Sequence, residues 1–296
     1  MKIKSFSFQQ LLLLGLYILL ITQQNLFCGT NNASPLEPDM AILFDDNDDN
    51  INTKFEEYRH PDWTSYVKKK YEHTLFNKQC VYYPAKSPKR LIINFSFWGD
   101  RYMMWSWFWR QNEDWETTSY LFLKDAAKSW YFGTHDQPLV NDFASIIKHF
   151  IKLSGVTPDH VFTIGISMGG TAAIFYATLL GLKGTIVDLP QIIPSIWNIH
   201  AQKVAPSVAI GPNIAWVDLP RLLTETKNIP HISIHYGNCE ADYLGAYQLI
   251  DAVKTRKSVF TVRRSLMPGH FGDALTASFI DKEIDYIDTQ EQLSLQ

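Results

Sequence analysis

Short apolar runs rich in β-branched and aromatic residues alternate with segments of helical periodicity from about residue 79 to residue 287. The run RLIINFSFW (90–98) is almost continuously apolar, which is typical of a strand buried on both faces of a sheet. The segment PLVNDFASIIKHFIKLSG (138–155) instead has apolar residues at helical spacing and ends at a glycine. This alternation predicts an α/β protein with a mostly parallel sheet and helices on both faces.

The individual elements follow from the same patterns. Strands are predicted over 79–84, 90–98, 119–125, 161–167, 184–190, 231–238 and 258–265, and helices over 138–155, 169–181, 246–255 and 271–287. Residues 191–229 interrupt the alternation and contain Pro194, Pro206, Pro212 and Pro220. An insertion at the carboxyl edge of a parallel sheet is a natural place for a cap over a binding site.

The N-terminal region predicts a targeting segment. Lys2 and Lys4 precede the apolar run LLLLGLYILLI (11–21), which is shorter than the roughly 20 residues of a bilayer span but matches the apolar part of a signal peptide. The residues after it lack an A-x-A cleavage site, so 1–28 is interpreted as a signal peptide or membrane anchor. This predicts membrane association and a body outside the cytoplasm. An ordinary apolar segment in a cytoplasmic protein remains the alternative.

The remainder of the chain is interpreted as one domain with flexible ends. Residues 29–58 are polar and acidic and predict a flexible linker. Residues 59–290 form the predicted α/β domain, with its cap insertion at 191–229, and 291–296 form a tail. A chain of 296 residues suits one large domain with an ample core.

Composition excludes several kinds of partner. The chain has 27 basic and 30 acidic side chains, a net charge of −3 and no block of Lys or Arg, which argues against nucleic-acid binding. Cys28, Cys80 and Cys239 form no C-x-x-C or Cys/His spacing, so no zinc site is predicted. The acidic stretch 46–57 resembles a calcium loop, but Ile51 stands where that loop needs glycine. No metal or organic cofactor and no particular oligomeric state is implied.

The motif G-x-S-x-G at residues 165–169 is the strongest chemical signal. It follows a predicted strand and begins a predicted helix, which is the context of a nucleophile elbow. Gly165 and Gly169 would give the tight turn room, and Ser167 would project above the sheet as the nucleophile. The alternative is a structural serine in a tight strand-to-helix connection.

The chain resembles the α/β-hydrolases, whose nucleophile, acid and histidine follow in this order along the sequence. After strand 231–238 come two candidate acids, and after strand 258–265 comes His270 in the loop LMPGHFGDAL. The resemblance favours Asp242, because YGNCEADYLGAY matches the family pattern of strand, glycine, acid and helix. Glu240 remains the alternative acid.

The resemblance also implies a mechanism. His270 would accept the proton of Ser167 while Asp242 orients the imidazole. The backbone N–H of Met168 would donate to the oxyanion, with a second N–H from Phe97 or Trp98, because the H-G-G-G motif of lipases is absent.

Motifs on either side of the G-x-S-x-G sequence indicate a smaller group within the α/β-hydrolases. RYMMWSWFW, LFLKDAAKSWYFG and VDLPQI are similar to a bacterial hydrolase-like group linked to capsular-polysaccharide biosynthesis and, more distantly, to accessory-Sec O-acetyltransferases. The similarity covers roughly residues 80–280 and implies a glycan acyl ester as substrate, with Arg101, Trp105 and Gln191 as candidate substrate contacts. The alternative is that the aromatic residues pack under the cap and Arg101 forms a structural ion pair.

Three functions are consistent with these residues. The first is a serine esterase acting on a small-molecule or glycan ester, and the second is an O-acyltransferase that delivers the same acyl group to a sugar hydroxyl. Which of these two reactions occurs depends on how well the site excludes water from the acyl-enzyme. The third is a non-catalytic assembly or secretion partner that has kept the fold.

Overall fold

The computed structural model of the protein describes residues 69–98, 116–204, 206–256, 260–265, 270 and 275–294. The predicted N-terminal segment 1–28, the linker 29–58 and the residues Arg101 and Trp105 lie outside this part of the chain. Among the described helices, none combines the length and apolar character needed to cross a bilayer.

Within the described residues, eight strands form one mixed sheet in the order β1-β2-β4-β3-β5-β6-β7-β8. The strands are β1 Glu72–Leu75, β2 Lys78–Tyr83, β3 Arg90–Phe95, β4 Thr118–Leu123, β5 Val161–Ile166, β6 Gly184–Asp188, β7 His231–Tyr236 and β8 Phe260–Arg264. The β1–β2 and β2–β4 pairs are antiparallel, and every other pair is parallel. The predicted fold class, a mostly parallel sheet with helices, is confirmed.

Strand β1 was not predicted, because its sequence EHTL carries little apolar pattern. It is held by a hairpin to β2, in which Leu75 pairs with Lys78 across the two connecting residues. Those residues, Phe76 and Asn77, have φ values of 50° and 57°. Positive φ at both central positions is the geometry of the two-residue hairpin turn that matches the strand twist.

The helices connect the parallel strands and cover the sheet. They are α1 Val140–Ser154, α2 Met168–Leu180, α3 Pro194–Val204, α4 Leu219–Glu225, α5 Glu240–Val253 and α6 Ala277–Ser294. Helices α1 and α2 end, as predicted, at Gly155 and Gly181, both in the left-handed conformation that glycine adopts without steric cost. Short 3₁₀ turns precede β5 (Pro158–His160) and follow α3 (Pro206–Val208).

The two faces of the sheet bury separate apolar clusters. Leu91, Ile93 and Phe95 of β3 belong to one cluster, which also contains residues of α1 to α5. Ile92 of the same strand belongs to the other cluster, together with Ile284 of α6. Because successive side chains of a strand point to opposite faces, β3 is buried on both sides, as its continuous apolar run predicted.

The structure differs from the sequence prediction at several elements, most clearly in the last two helices and in the insertion. Helix α5 begins at Glu240 and not at 246, since two acidic residues in its first turn are favourable beside the positive helix end. The last helix runs to Ser294 and not 287, past the start of the predicted tail. The insertion 191–229 contains the helices α3 and α4, which were not predicted because the segment is rich in proline. Proline is tolerated in the first turn of a helix, where both helices carry one.

Candidate active site

Ser167 is the single residue between β5 and α2, and its backbone is strained. Its φ of 55° and ψ of −118° lie outside the regions that a residue with a side chain ordinarily adopts. Its N–H donates to the Asp188 carbonyl at the end of β6 (2.9 Å), and its own carbonyl accepts from the Thr171 N–H in α2 (3.1 Å). The neighbouring strand and the following helix therefore hold the serine in this conformation.

The glycines of the motif are required by close backbone contacts. A Cβ at Gly165 would lie 2.4 Å from the carbonyl of Gly169, and one at Gly169 would lie 2.0 Å from the carbonyl oxygen of Phe95. Both distances are shorter than real contacts allow, so a side chain at either position would push α2 away from the sheet. These contacts explain physically why the turn has the pattern G-x-S-x-G.

The structure brings Ser167, His270 and Asp242 together in one chain of hydrogen bonds. His270 Nε2 lies 3.0 Å from Ser167 Oγ, and His270 Nδ1 lies 2.6 Å from Asp242 Oδ1. Asp242 is 2% exposed in the first turn of α5, whereas Glu240, the other candidate acid, is exposed to solvent. A proton on Nδ1 donated to Asp242 leaves the Nε2 lone pair directed at the serine hydroxyl.

Helix α3 lies against the imidazole of His270. The ring of Trp197 is 4.6 Å from that of His270 between centroids, and the ring of His200 is 6.4 Å away. Burial lowers the pKa of His200, and the nearby His270 lowers it further, so His200 is neutral at neutral pH. Sequence reasoning missed both residues, because nothing in a local pattern relates the insertion to a histidine after the last strand.

The candidate oxyanion donors lie at the ends of two neighbouring elements. Met168 is the first residue of α2, where the backbone N–H groups have no partner within the helix and carry partial positive charge. Phe97 and Trp98 follow β3. The close approach of Gly169 to Phe95 places the segment after β3 next to the first turn of α2.

The loop between β4 and α1 is built around the buried carboxylate of Asp125. It accepts hydrogen bonds from the N–H groups of Ala127, Ser129 and Tyr131 and from the hydroxyl of Ser129. These four bonds hold a backbone in which Lys128, Trp130 and Tyr131 all have positive φ. The SWYFG motif is therefore a tight loop whose shape depends on one carboxylate.

This loop positions Trp130 beside other aromatic rings. Its ring lies 5.4 Å from that of Trp98 and 6.1 Å from that of Trp216, which is in the insertion. Its Nε1–H donates to the side-chain oxygen of Gln191. Gln191 is 5% exposed, and its backbone N–H and carbonyl both form hydrogen bonds with the Thr171 hydroxyl, so its backbone groups and its side-chain oxygen have partners inside the protein.

No protein-family model matches the chain, and no curated protein matches it by sequence. Solved structures do match, and three of them cover 73%, 73% and 72% of this chain. A capsule O-acetyltransferase of Neisseria meningitidis serogroup A has a TM-score of 0.55 and 18% identity, with 93% of its chain covered. An S-formylglutathione hydrolase from Agrobacterium tumefaciens has a TM-score of 0.54 and 15% identity, with 92% covered. The fluorophosphonate-binding serine hydrolase FphF of Staphylococcus aureus has a TM-score of 0.51 and 15% identity, with 91% covered.

Replacing Gly169 by alanine should destabilise the protein by about 1–3 kcal/mol, the usual cost of forcing an extra group into a packed site. The reason is the 2.0 Å approach of the added Cβ to the Phe95 carbonyl. Urea denaturation measures the change in the free energy of unfolding. Gly211→Ala is the matched control, because a Cβ there meets no atom within 4 Å and φ is not positive. Equal stability of the two variants would contradict the packing described here.

Proposed function

Because the chain has the α/β-hydrolase fold, we propose that the protein is a serine acyl hydrolase that cleaves an ester through an acyl-enzyme. The observation that supports this proposal is the continuous hydrogen-bond chain from Ser167 Oγ through His270 to Asp242. A nucleophile, a base within reach of it and a group that orients the base are the elements of activated-serine catalysis.

In the proposed first step His270 Nε2 accepts the proton of Ser167 as the serine oxygen attacks the ester carbonyl. The carbonyl oxygen becomes negatively charged, and the backbone N–H of Met168 and that of Phe97 or Trp98 are the proposed donors to it. His270 then donates its proton to the departing alcohol oxygen, which leaves the acyl group on Ser167. Water then loses a proton to the same imidazole and attacks the acyl-enzyme. As the bond between the acyl group and Ser167 Oγ breaks, the imidazolium returns the proton to Oγ and the acid is released.

Asp242 is the proposed orienting acid. Its buried carboxylate 2.6 Å from Nδ1 fixes the tautomer in which Nε2 accepts a proton, and it stabilises the imidazolium that forms during each step. Burial strengthens this effect, because the attraction between the two charges is less screened than it would be in water. Glu240, exposed on the same helix, is poorly suited to that role.

We propose a glycan acyl ester, with acetyl as the acyl group, as the substrate. The sequence resemblance to capsular-polysaccharide proteins and the structural similarity to a capsule O-acetyltransferase support this choice. The partly buried indoles of Trp98 and Trp216, which flank Trp130 near the end of β3, offer the apolar faces on which sugar rings stack.

A second candidate, transfer of the acyl group to a sugar hydroxyl, is favoured by the position of α3. Trp197 packs 4.6 Å from the His270 ring, so one side of the base is covered by an indole and is shielded from water. Limited access of water would let a bound hydroxyl compete for the acyl-enzyme.

The first of three predictions about activity concerns the proposed nucleophile. A fluorophosphonate probe should label the parent protein, and Ser167→Ala should abolish labelling and lower the rate on a short-chain acyl ester by about 10⁶-fold, as loss of a catalytic serine does elsewhere. In-gel fluorescence and ester hydrolysis are the measurements. Ser87→Ala, an exposed serine, is the matched control. A parent protein that is neither labelled nor active would favour the non-catalytic assembly or secretion partner.

The second prediction separates the two acids. Asp242→Asn should lower kcat by about 10⁴-fold, because an amide favours the wrong imidazole tautomer. Glu240→Gln, two residues earlier in the same helical turn, should leave kcat within about twofold, since an exposed charge contributes little. Steady-state kinetics on the same ester decide the question. A larger loss in Glu240→Gln would assign the acid to Glu240.

The third prediction separates hydrolase from transferase. If transfer is the reaction, a mono- or oligosaccharide acceptor should raise the rate of ester consumption and yield an acylated sugar. If hydrolysis is the reaction, the acceptor should change neither the rate nor the product. Mass spectrometry of the sugar and titration of the released acid measure the two products. The variant Trp197→Ala should shift the partition toward hydrolysis, because it uncovers His270.

A further inference from the structure

The candidate acid and base share their surroundings with a thiol. Cys239 Sγ, a carboxylate oxygen of Asp242 and a ring nitrogen of His270 all lie within 4.8 Å of one another. Cys239 is 8% exposed and immediately precedes α5, so the backbone fixes it close to Asp242. The spacing of these residues along the sequence resembles no metal motif, which is why sequence reasoning predicted no metal site.

The second oxygen of Asp242 is incompletely satisfied. Oδ1 contacts His270, but Oδ2 is buried, and no N–H or O–H group of the described residues donates to it. A buried carboxylate oxygen without a donor is energetically costly.

We propose that Cys239, Asp242 and His270 form a binding site for a soft or borderline divalent cation such as Zn²⁺ or Cd²⁺. Thiolate, imidazole and carboxylate are ligands of zinc, and a tetrahedral zinc ion with a Zn–S distance of about 2.3 Å and Zn–N and Zn–O distances near 2.0 Å keeps its ligand atoms about 3.5 Å apart. The cluster therefore needs to close by little more than about 1 Å, and water can supply the fourth ligand.

Binding there would switch off the proposed base. Nδ1 is the ring nitrogen that faces Asp242, so the cation takes the place of the Nδ1 proton. That proton moves through solvent to Nε2, the Cys239 thiol releases its own proton to water, and the charges of the thiolate and the carboxylate offset that of the cation. An Nε2–H that faces Ser167 at 3.0 Å is a donor and cannot accept the serine proton. This inhibitory consequence rests on the proposed function, whereas the binding itself does not.

Cadmium binding is measured by the ultraviolet charge-transfer absorption of the cadmium–thiolate bond. The parent protein, Ser167→Ala and the matched control Cys80→Ala should show the band with one Cd²⁺ per chain, and Cys239→Ala should lack it. His270→Ala should weaken binding by at least about tenfold, since even the loss of a group that only supports a ligand costs that much. Circular dichroism checks that each variant is folded. A band of equal size in Cys239→Ala, or none in the folded parent, would overturn the proposal.

Inhibition is measured as loss of fluorophosphonate labelling on titration with Zn²⁺. Zn²⁺ should block labelling of the parent protein, and a chelator should restore it. Cys239→Ala should need about 100-fold more Zn²⁺ for the same fractional inhibition, because it has lost one ligand. The labelling rate of each protein is normalised to its own rate without Zn²⁺. Equal sensitivity of the two proteins would reject the site. A parent that shows the Cys239-dependent cadmium band but is never labelled would support the site and refute the proposed function alone.

Discussion

The conformation of Ser167 depends on one hydrogen bond to the neighbouring strand, from its N–H to the Asp188 carbonyl. That carbonyl is itself held in place, because the Asp188 side chain contacts His235 Nδ1 at 2.8 Å in a buried pair between β6 and β7. The next residue, Leu189, has a φ of 51° and donates its N–H to the His235 carbonyl. The strained conformation of Ser167 therefore depends on a second strained residue, Leu189, and on the buried hydrogen bond between Asp188 and His235, all at the carboxyl edge of the sheet.

A second set of buried polar groups supports the same edge from the side of β3 and β4. The Tyr131 hydroxyl lies 3.0 Å from the carbonyls of both Ser96 and Leu123, and the Tyr176 hydroxyl of α2 donates to the Tyr131 carbonyl at 2.8 Å. These aromatic residues are fully buried, so their hydroxyl groups reach backbone acceptors from within the apolar cluster. The loop formed around Asp125 therefore ties the end of β3 to α2, the two elements that carry the candidate oxyanion donors.

Local patterns were sufficient for much of the fold. Continuous apolar runs identified β3 and β5, and glycines marked the ends of α1 and α2. The sequence also predicted Ser167, Asp242 and His270 as site residues, because each of them follows a predicted strand. Features that depend on contacts between residues far apart in the sequence could not be predicted from local patterns. The weakly patterned β1 exists because it pairs with β2, and α3 approaches His270 only after the chain has folded. The position of the Cys239 thiol next to Asp242 depends on where helix α5 begins. The apolar pattern of that helix predicted a start at residue 246, whereas the helix begins at Glu240.

The contacts around Ser167 also determine when this residue can adopt its strained conformation during folding. Gly169 packs against Phe95, and Ser167 is held by Asp188, so its strained conformation needs β3, β5 and β6 to be paired. Contacts between residues so far apart in sequence form late, because the intervening chain must first lose its freedom. A chain whose central strands have not yet assembled, for example during synthesis, would relax Ser167 to an ordinary turn. The strained geometry of Ser167 is thus a property of the completed sheet, and the motif in isolation does not have it.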